Sequence, residues 1–325
     1  MNKIRPIVYT RELCSHFHLS LSTYLSKRES IITTVKYYFL LTFLFITAKL
    51  PLRVVLGLAS IWGAMLYYLP NRARDTTLKN LKVCFPDLSA KEISRLAKES
   101  LTSTASTAME MGKSWMLPIE KTYSLVTQTE GLESFQEAVK SSQGIVLLAP
   151  HLSNWEIFAV YVSQNIESTF MYQPPKLIAI DRLLRRVRSR GGMKLAPADI
   201  KGVSLVLKAL KRGELVGVLP DQVPNKEGGE FATFFGEQAL TMTLVSKLLA
   251  RSQARVFCGC VVRLPKGGGF KLTIQEADQL IYNEDILTSV RGLNKSVEDC
   301  VLMAVEQYQW EYKRFRKQPD QKKFY

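Results

Sequence analysis

His151 stands in the segment Pro150-His151-Leu152-Ser153-Asn154-Trp155-Glu156, directly after the apolar run Gly144–Ala149. The end of a buried-type strand is where α/β proteins place their ligands. Of the three histidines, the other two, His16 and His18, lie in the N-terminal tail. An imidazole used as a general base needs its second nitrogen held by an acceptor, usually a carboxylate. Glu156 offers one at H-x-x-x-x-E spacing in the following helix, so His151 and Glu156 are the candidate catalytic pair. Two structural readings compete. Ser153 and Glu156 also form an S-x-x-E capping box, which would make Glu156 only a cap. A histidine after a strand is also often purely structural.

Three further clusters carry candidate chemistry. Asp221-Gln222 follows the strand-like Leu215–Leu219 and Pro220, and leads through a Gly-rich stretch to Phe234-Phe235-Gly236. A basic helix carries Arg182, Arg185, Arg186, Arg188 and Arg190 before Gly191-Gly192. Near the end lies Glu306-Gln307-Tyr308-Gln309-Trp310. Taken singly, these read as a turn, a solvated face and a core contact. The five cysteines are an odd number in a long chain and do not read as a disulfide framework. Cys258-x-Cys260 alternates on a strand, so its two thiols are expected to face opposite sides and to lack a partner, and histidines are scarce, so no metal and no organic cofactor is expected.

The elements that must position these groups alternate. Ser89-Ala90-Lys91-Glu92 is a capping box opening a helix towards Met116. Strands are expected at Gly144–Ala149, Phe170–Tyr172, Leu215–Leu219, Arg255–Arg263 and Phe270–Ile274, the last two joined by a turn at Lys266–Gly269. Helices are expected at Asn154–Ser163, Ile200–Arg212, Thr241–Arg251 and Val297–Tyr312. That alternation predicts an α/β fold, a mixed sheet flanked by helices, in one domain over residues 71–325.

The chain has 325 residues, 46% of them hydrophobic and 22% charged, which excludes disorder for most of its length. The net charge of +15 points to an anionic partner: a membrane surface, a nucleic acid, an acidic protein or a phosphorylated substrate. Ile31–Ala48 carries a single charge, Lys36, and sits at the lower length limit of a transmembrane helix. After Pro51 and Arg53, Val54–Leu69 mixes small residues with Trp62, Tyr67 and Tyr68, as a membrane-surface helix would. Residues 1–30 are then a tail, and 31–70 an anchor with an interfacial helix. One span is preferred over a hairpin, with a buried core helix as the remaining alternative.

In this order the clusters resemble the lipid A biosynthesis late acyltransferases, the lauroyl/myristoyl type within the glycerolipid acyltransferase superfamily. The resemblance covers roughly residues 40–325. It rests on Asn80-Leu81 with Cys84-Phe85-Pro86, on His151 with Glu156, and on the arginines before Gly192. It continues through Asp221-Gln222, Phe234-Phe235-Gly236 with Ala239-Leu240-Thr241, Glu306-Gln307-Tyr308 with Trp310, and Arg314-Phe315. Departures are Gln173 in Tyr172-Gln173-Pro174, where the family usually has arginine, and Cys258 and Val305 in place of prolines. The resemblance implies transfer of a fatty acyl chain from an acyl carrier protein to a hydroxyl of a lipid A precursor, at the cytoplasmic face of the inner membrane. It implies His151 as base and Glu156 as its orienting partner. Substrate would be held by Arg190, or Arg188 if the register slips, and by Asp221 and Gln222, with Arg190 donating to the oxyanion. Nucleic acid is not expected as a partner. The alternatives are a glycolipid or phospholipid acceptor, a thioester hydrolase on the same scaffold, and a non-enzymatic membrane-surface or nucleic-acid binder.

Overall fold

A computed structural model describes residues 34–175 and 177–325 of the chain. The tail expected at 1–30, with Cys14, His16 and His18, and the first residues of the 31–48 run lie outside the described residues. Residues 34–49 are helical (α1). Two compact units are distinguished, Met1–Phe43 and Leu44–Tyr325, and the architecture that follows is that of the second.

Helices α2 (Leu52–Tyr68), α3 (Arg72–Cys84) and α4 (Ala90–Met116) precede the sheet. The capping box opens α4 as expected, with Ser89 and Glu92 bonding each other's backbone N–H groups. Among the described residues no single helix is long and apolar enough to cross a membrane. Only α2 and α3 taken together pass, and they are bent by 80°. The small residues of α2 serve packing. Val55, Ala59 and Gly63 are buried, and a Cβ on Gly63 would lie 2.4 Å from the Thr102 Cα of α4. The large apolar residues of α2 face outward: Ile61 is 63% and Met65 53% exposed, with Val54, Leu58 and Trp62 beside them. Buried Lys113 of α4 donates to the carbonyls of Ala48 (2.8 Å) and Leu50, closing the end of α1.

The elements then run α5 (Ile119–Tyr123), β1 (Val126–Glu130), α6 (Leu132–Lys140), β2 (Ile145–Leu148), α7 (Trp155–Val162), β3 (Ser168–Tyr172), α8 (Ile178–Ser189), β4 (Met193–Pro197), α9 (Ile200–Lys211) and β5 (Leu215–Val218). A hairpin follows, β6 (Gly229–Phe234) and β7 (Glu237–Met242), then α10 (Leu244–Leu249), β8 (Arg255–Arg263), β9 (Phe270–Glu276) and α11 (Ile286–Leu302). Seven strands form one sheet in the order β1-β9-β8-β2-β5-β3-β4. The strands from β8 to β4 are parallel, and β9 is antiparallel to β8, so the sheet is mixed.

Every residue of β2 and β5 is buried, as expected where helices cover both faces of a parallel sheet. Alternate side chains serve the two cores. Val146 and Leu148 join residues of α4, α9, α10 and α11 on one side. Ile145 and Leu147 join Phe135 of α6 and Phe158 of α7 on the other.

Three local expectations are corrected. The helix expected at Thr241–Arg251 begins only at Leu244, because Phe235 and Gly236 (φ 47° and 80°) make a two-residue hairpin that draws Thr241 into β7. The helix expected at Val297–Tyr312 is shifted. Asp285 caps α11 through Thr288 N–H (2.8 Å), and the chain leaves the helix after Leu302. The thiols of Cys258 and Cys260 are not without a partner. Residues two apart on a strand share a face, and Cys300 lies 3.1 Å from Cys258 in the same core.

Candidate active site

His151 and Asp221 follow neighbouring parallel strands. Leu148 of β2 pairs with Val218 of β5, and His151 and Asp221 lie at the same offset beyond that pair. The register therefore brings them face to face. The His151 backbone N–H donates to Asp221 Oδ2 (2.8 Å), and ring Nδ1–H donates to Oδ1 (2.8 Å). Burial by itself would raise the Asp221 carboxyl, but the imidazole and the N–H donors outweigh it and hold the group below its ordinary value. An ionised Asp221 accepts only, so Nδ1 carries the proton and Nε2 keeps its lone pair. Gln222 donates to that lone pair at 3.1 Å. The Trp155 ring stacks edge-on against the imidazole, centroids 4.8 Å apart.

The histidine loop is clamped from behind. Residues after α11 run antiparallel to it: Leu152 bridges Tyr308, Gln309 N–H donates to His151 O (3.1 Å), and Ser153 N–H donates to Gln307 O (2.8 Å). Ser153 holds a left-handed backbone (φ 50°), which costs a non-glycine residue on the order of 1 kcal/mol. Its carbonyl accepts from Thr107 Oγ1 at 3.1 Å. Asn154, not Ser153, caps α7 by accepting from Ile157 N–H (3.1 Å). Asn154 also reaches Glu110, which is fully buried and ion-paired with Arg263 at the end of β8. Arg263 in turn donates to Glu110 Oε2 (2.8 Å), Ser103 (3.0 Å) and Thr107 (3.1 Å).

A family profile described as bacterial lipid A biosynthesis acyltransferase matches residues 25–317. The chain belongs to that family. It is 29% identical over 280 residues to the lipid A biosynthesis lauroyltransferase of Escherichia coli, covering 85% of this chain and 90% of the relative. It is 28% identical over 285 residues to the lipid A biosynthesis palmitoleoyltransferase of the same organism, covering 87% and 91%. To that organism's lipid A biosynthesis myristoyltransferase it is 28% identical over 242 residues, covering 73% of each. The three names differ in the acyl group while the identities barely differ, so the similarity carries the reaction class.

In this acyltransferase the expected site residues divide into three places. His151, Asp221 and Gln222 meet. Glu156 does not orient the imidazole. It sits in the first turn of α7, buried, and forms a two-point ion pair with Arg188, whose Nε lies 3.2 Å from Oε2. A carboxylate five positions on has turned with the helix, and Asp221 takes the ring instead. Burial opposes the Arg188 charge, but Glu156 more than offsets it and raises the guanidinium above its ordinary value. Glu156 and Arg188 line a narrow crevice with Trp155, Met171 and Leu219, next to the histidine loop.

Arg190, expected at the oxyanion, lies elsewhere. It donates to the carbonyls of Trp115 (2.7 Å) and Leu117 (2.8 Å), at the C-terminal end of α4. Helix ends leave carbonyls unpaired, and the guanidinium fork suits two at once. Other motif residues support the frame. Asn80 donates to Trp310 O (2.8 Å) and Tyr312 O (2.9 Å), and buried Arg314 bonds Leu240 O and Thr241 Oγ1, both at 2.6 Å. The pairing of Asp221 with His151 comes through the register of β2 with β5 and not through any local spacing. Glu110 and Arg263 had no local signal.

Proposed function

We propose that this acyltransferase moves a fatty acyl chain from an acyl carrier protein to a hydroxyl of a lipid A precursor, with His151 as general base. Asp221's two-point hold on His151 carries the reading, because it fixes the tautomer that leaves Nε2 basic. The acceptor hydroxyl displaces Gln222, gives its proton to Nε2 and attacks the thioester carbonyl. Collapse of the tetrahedral intermediate expels the carrier thiolate, which takes the proton back from the imidazolium. Asp221 stabilises that imidazolium and stays ionised. Arg188 commits Nε and Nη2 to Glu156. We assign its Nη1 donors, and the Gln222 amide once displaced, to the oxyanion or a substrate phosphate. Arg182, Arg185 and Arg186 on α8 suit an acidic carrier.

Residues 71–325 are the catalytic domain in this reading, and 31–70 the membrane-facing part. The enzyme works at the cytoplasmic face of the inner membrane. Support comes from α2, which turns its small residues inward and its large apolar ones outward. A buried side chain of that kind is worth roughly 1.5–3 kcal/mol, so the arrangement fits an apolar environment outside the protein. The test is His151→Ala, assayed with a carrier-bound acyl thioester and purified lipid A precursor. Transfer should vanish while melting temperature and membrane binding persist. Near-normal turnover would reject the general-base role.

A further inference from the structure

A cavity of about 280 Å³ opens beside His151. Its wall includes Trp155, Ser153, Thr104, Gln309 and Glu311. The hydroxyl of Thr104 donates to Glu311 Oε2 at 3.0 Å. Two polar atoms in the wall have no hydrogen-bond partner among the described residues, Ser153 Oγ and Gln309 Oε1, and Ser153 is only 1% exposed. Buried polar atoms left unpaired are costly, and a ligand that pairs them recovers the cost.

The chemistry of the wall selects the ligand. Gln309 Oε1 and Glu311 accept, and Ser153 Oγ can donate or accept. An anion has no proton to offer the two acceptors and would be repelled by the carboxylate. A hydroxyl can donate to Glu311 or Gln309 and accept from Ser153. Burial pushes the Glu311 carboxyl above its ordinary value, with hydrogen bonds from its own backbone, Thr104 and Gln309 partly opposing it.

We infer that Glu311, with Gln309 and Ser153, is an acceptor-recognition subsite that hydrogen-bonds a second hydroxyl of the acceptor while the reacting hydroxyl lies on His151 Nε2. This rests on the general-base reading above. The experiment is steady-state kinetics of Glu311→Gln and Thr104→Val, varying the lipid A precursor and the carrier-bound thioester in turn. Glu311→Gln should raise the acceptor KM roughly ten-fold, the scale of one hydrogen bond to a charged group. The donor KM should stay unchanged. Thr104→Val should shift the acceptor KM the same way by less, and the double variant should be no worse than Glu311→Gln alone. An unchanged acceptor KM in both variants, or a donor KM that rises equally, overturns the subsite. Failure of the base reading shows in a different measurement, transfer by His151→Ala.

Discussion

Asp221 and Glu156, two carboxylates near His151, have separable duties. Asp221 holds the ring and the backbone of His151 at once, whereas Glu156 acts through Arg188. Asp221→Asn offers one oxygen where two are needed and sets an amide against an N–H. Its turnover should fall on the order of 10²–10⁴-fold, the contribution of a positioned base. Glu156→Gln weakens the hold on Arg188 and should cost a smaller factor. Steady-state turnover at saturating donor decides between them, and a larger loss in Glu156→Gln would reverse the assignment. The acid limb of stability gives a second check. Asp221 is depressed in the folded protein, so its contribution is present above the ordinary carboxylate value and is lost as pH falls through its folded value. Urea midpoints against pH should therefore fall less steeply on the acid side in Asp221→Asn. His151 was legible in the sequence because a lone histidine after an apolar run is a local signal. Its partner was not, because the spacing to Glu156 is visible in one dimension while Asp221 arrives through the pairing of β2 with β5.

Among the elements, those with strong local punctuation read correctly. Ser89 and Glu92 start α4, Gly213 follows the end of α9, and Lys266–Gly269 turns β8 into β9. What failed was stabilised from a distance. The segment after Leu302 was expected to be helical, yet its backbone bonds to the histidine loop, and the Gln307 side chain accepts from Arg263 N–H at 2.8 Å. β1 and β4, on the sheet edges, carry no clear apolar alternation and were missed. Arg190 shows how the element decides the residue's role. Closing the end of α4, it should contribute to stability by about 1–2 kcal/mol rather than to the chemical step. Arg190→Ala should lower the melting temperature and leave turnover within a few-fold. Arg188→Ala, two positions earlier on α8, should lower turnover sharply. A large loss of turnover in folded Arg190→Ala would return it to the active site.

The molecule as a whole has a net charge of +15 and a helix with an outward apolar face, two features that would act together at an anionic bilayer. Basic residues near an anionic bilayer are worth about 1 kcal/mol each, and that term weakens with salt. At such a bilayer the apolar face of α2 would supply a term that salt does not screen. Removing residues 1–50 would be a poor test of it. The deletion takes away the carbonyls of Ala48 and Leu50 that Lys113 occupies, and Thr47, against which Gly112 packs, so stability would change together with binding. Point changes on the exposed face avoid this. Ile61 and Met65 are 63% and 53% exposed, while the face that packs on α4 is formed by Val55, Ala59 and Gly63. The double variant Ile61→Asp, Met65→Asp should keep its melting temperature within a few degrees. Its partitioning onto vesicles of mixed anionic and neutral phospholipid should drop by at least about ten-fold, given roughly 1.5–3 kcal/mol for each side chain fully buried. The loss should persist in high salt, where the electrostatic term is screened. Vesicle co-sedimentation across a salt series reads both terms. Binding that survives the double variant at high salt would show that α2 does not provide the apolar contact.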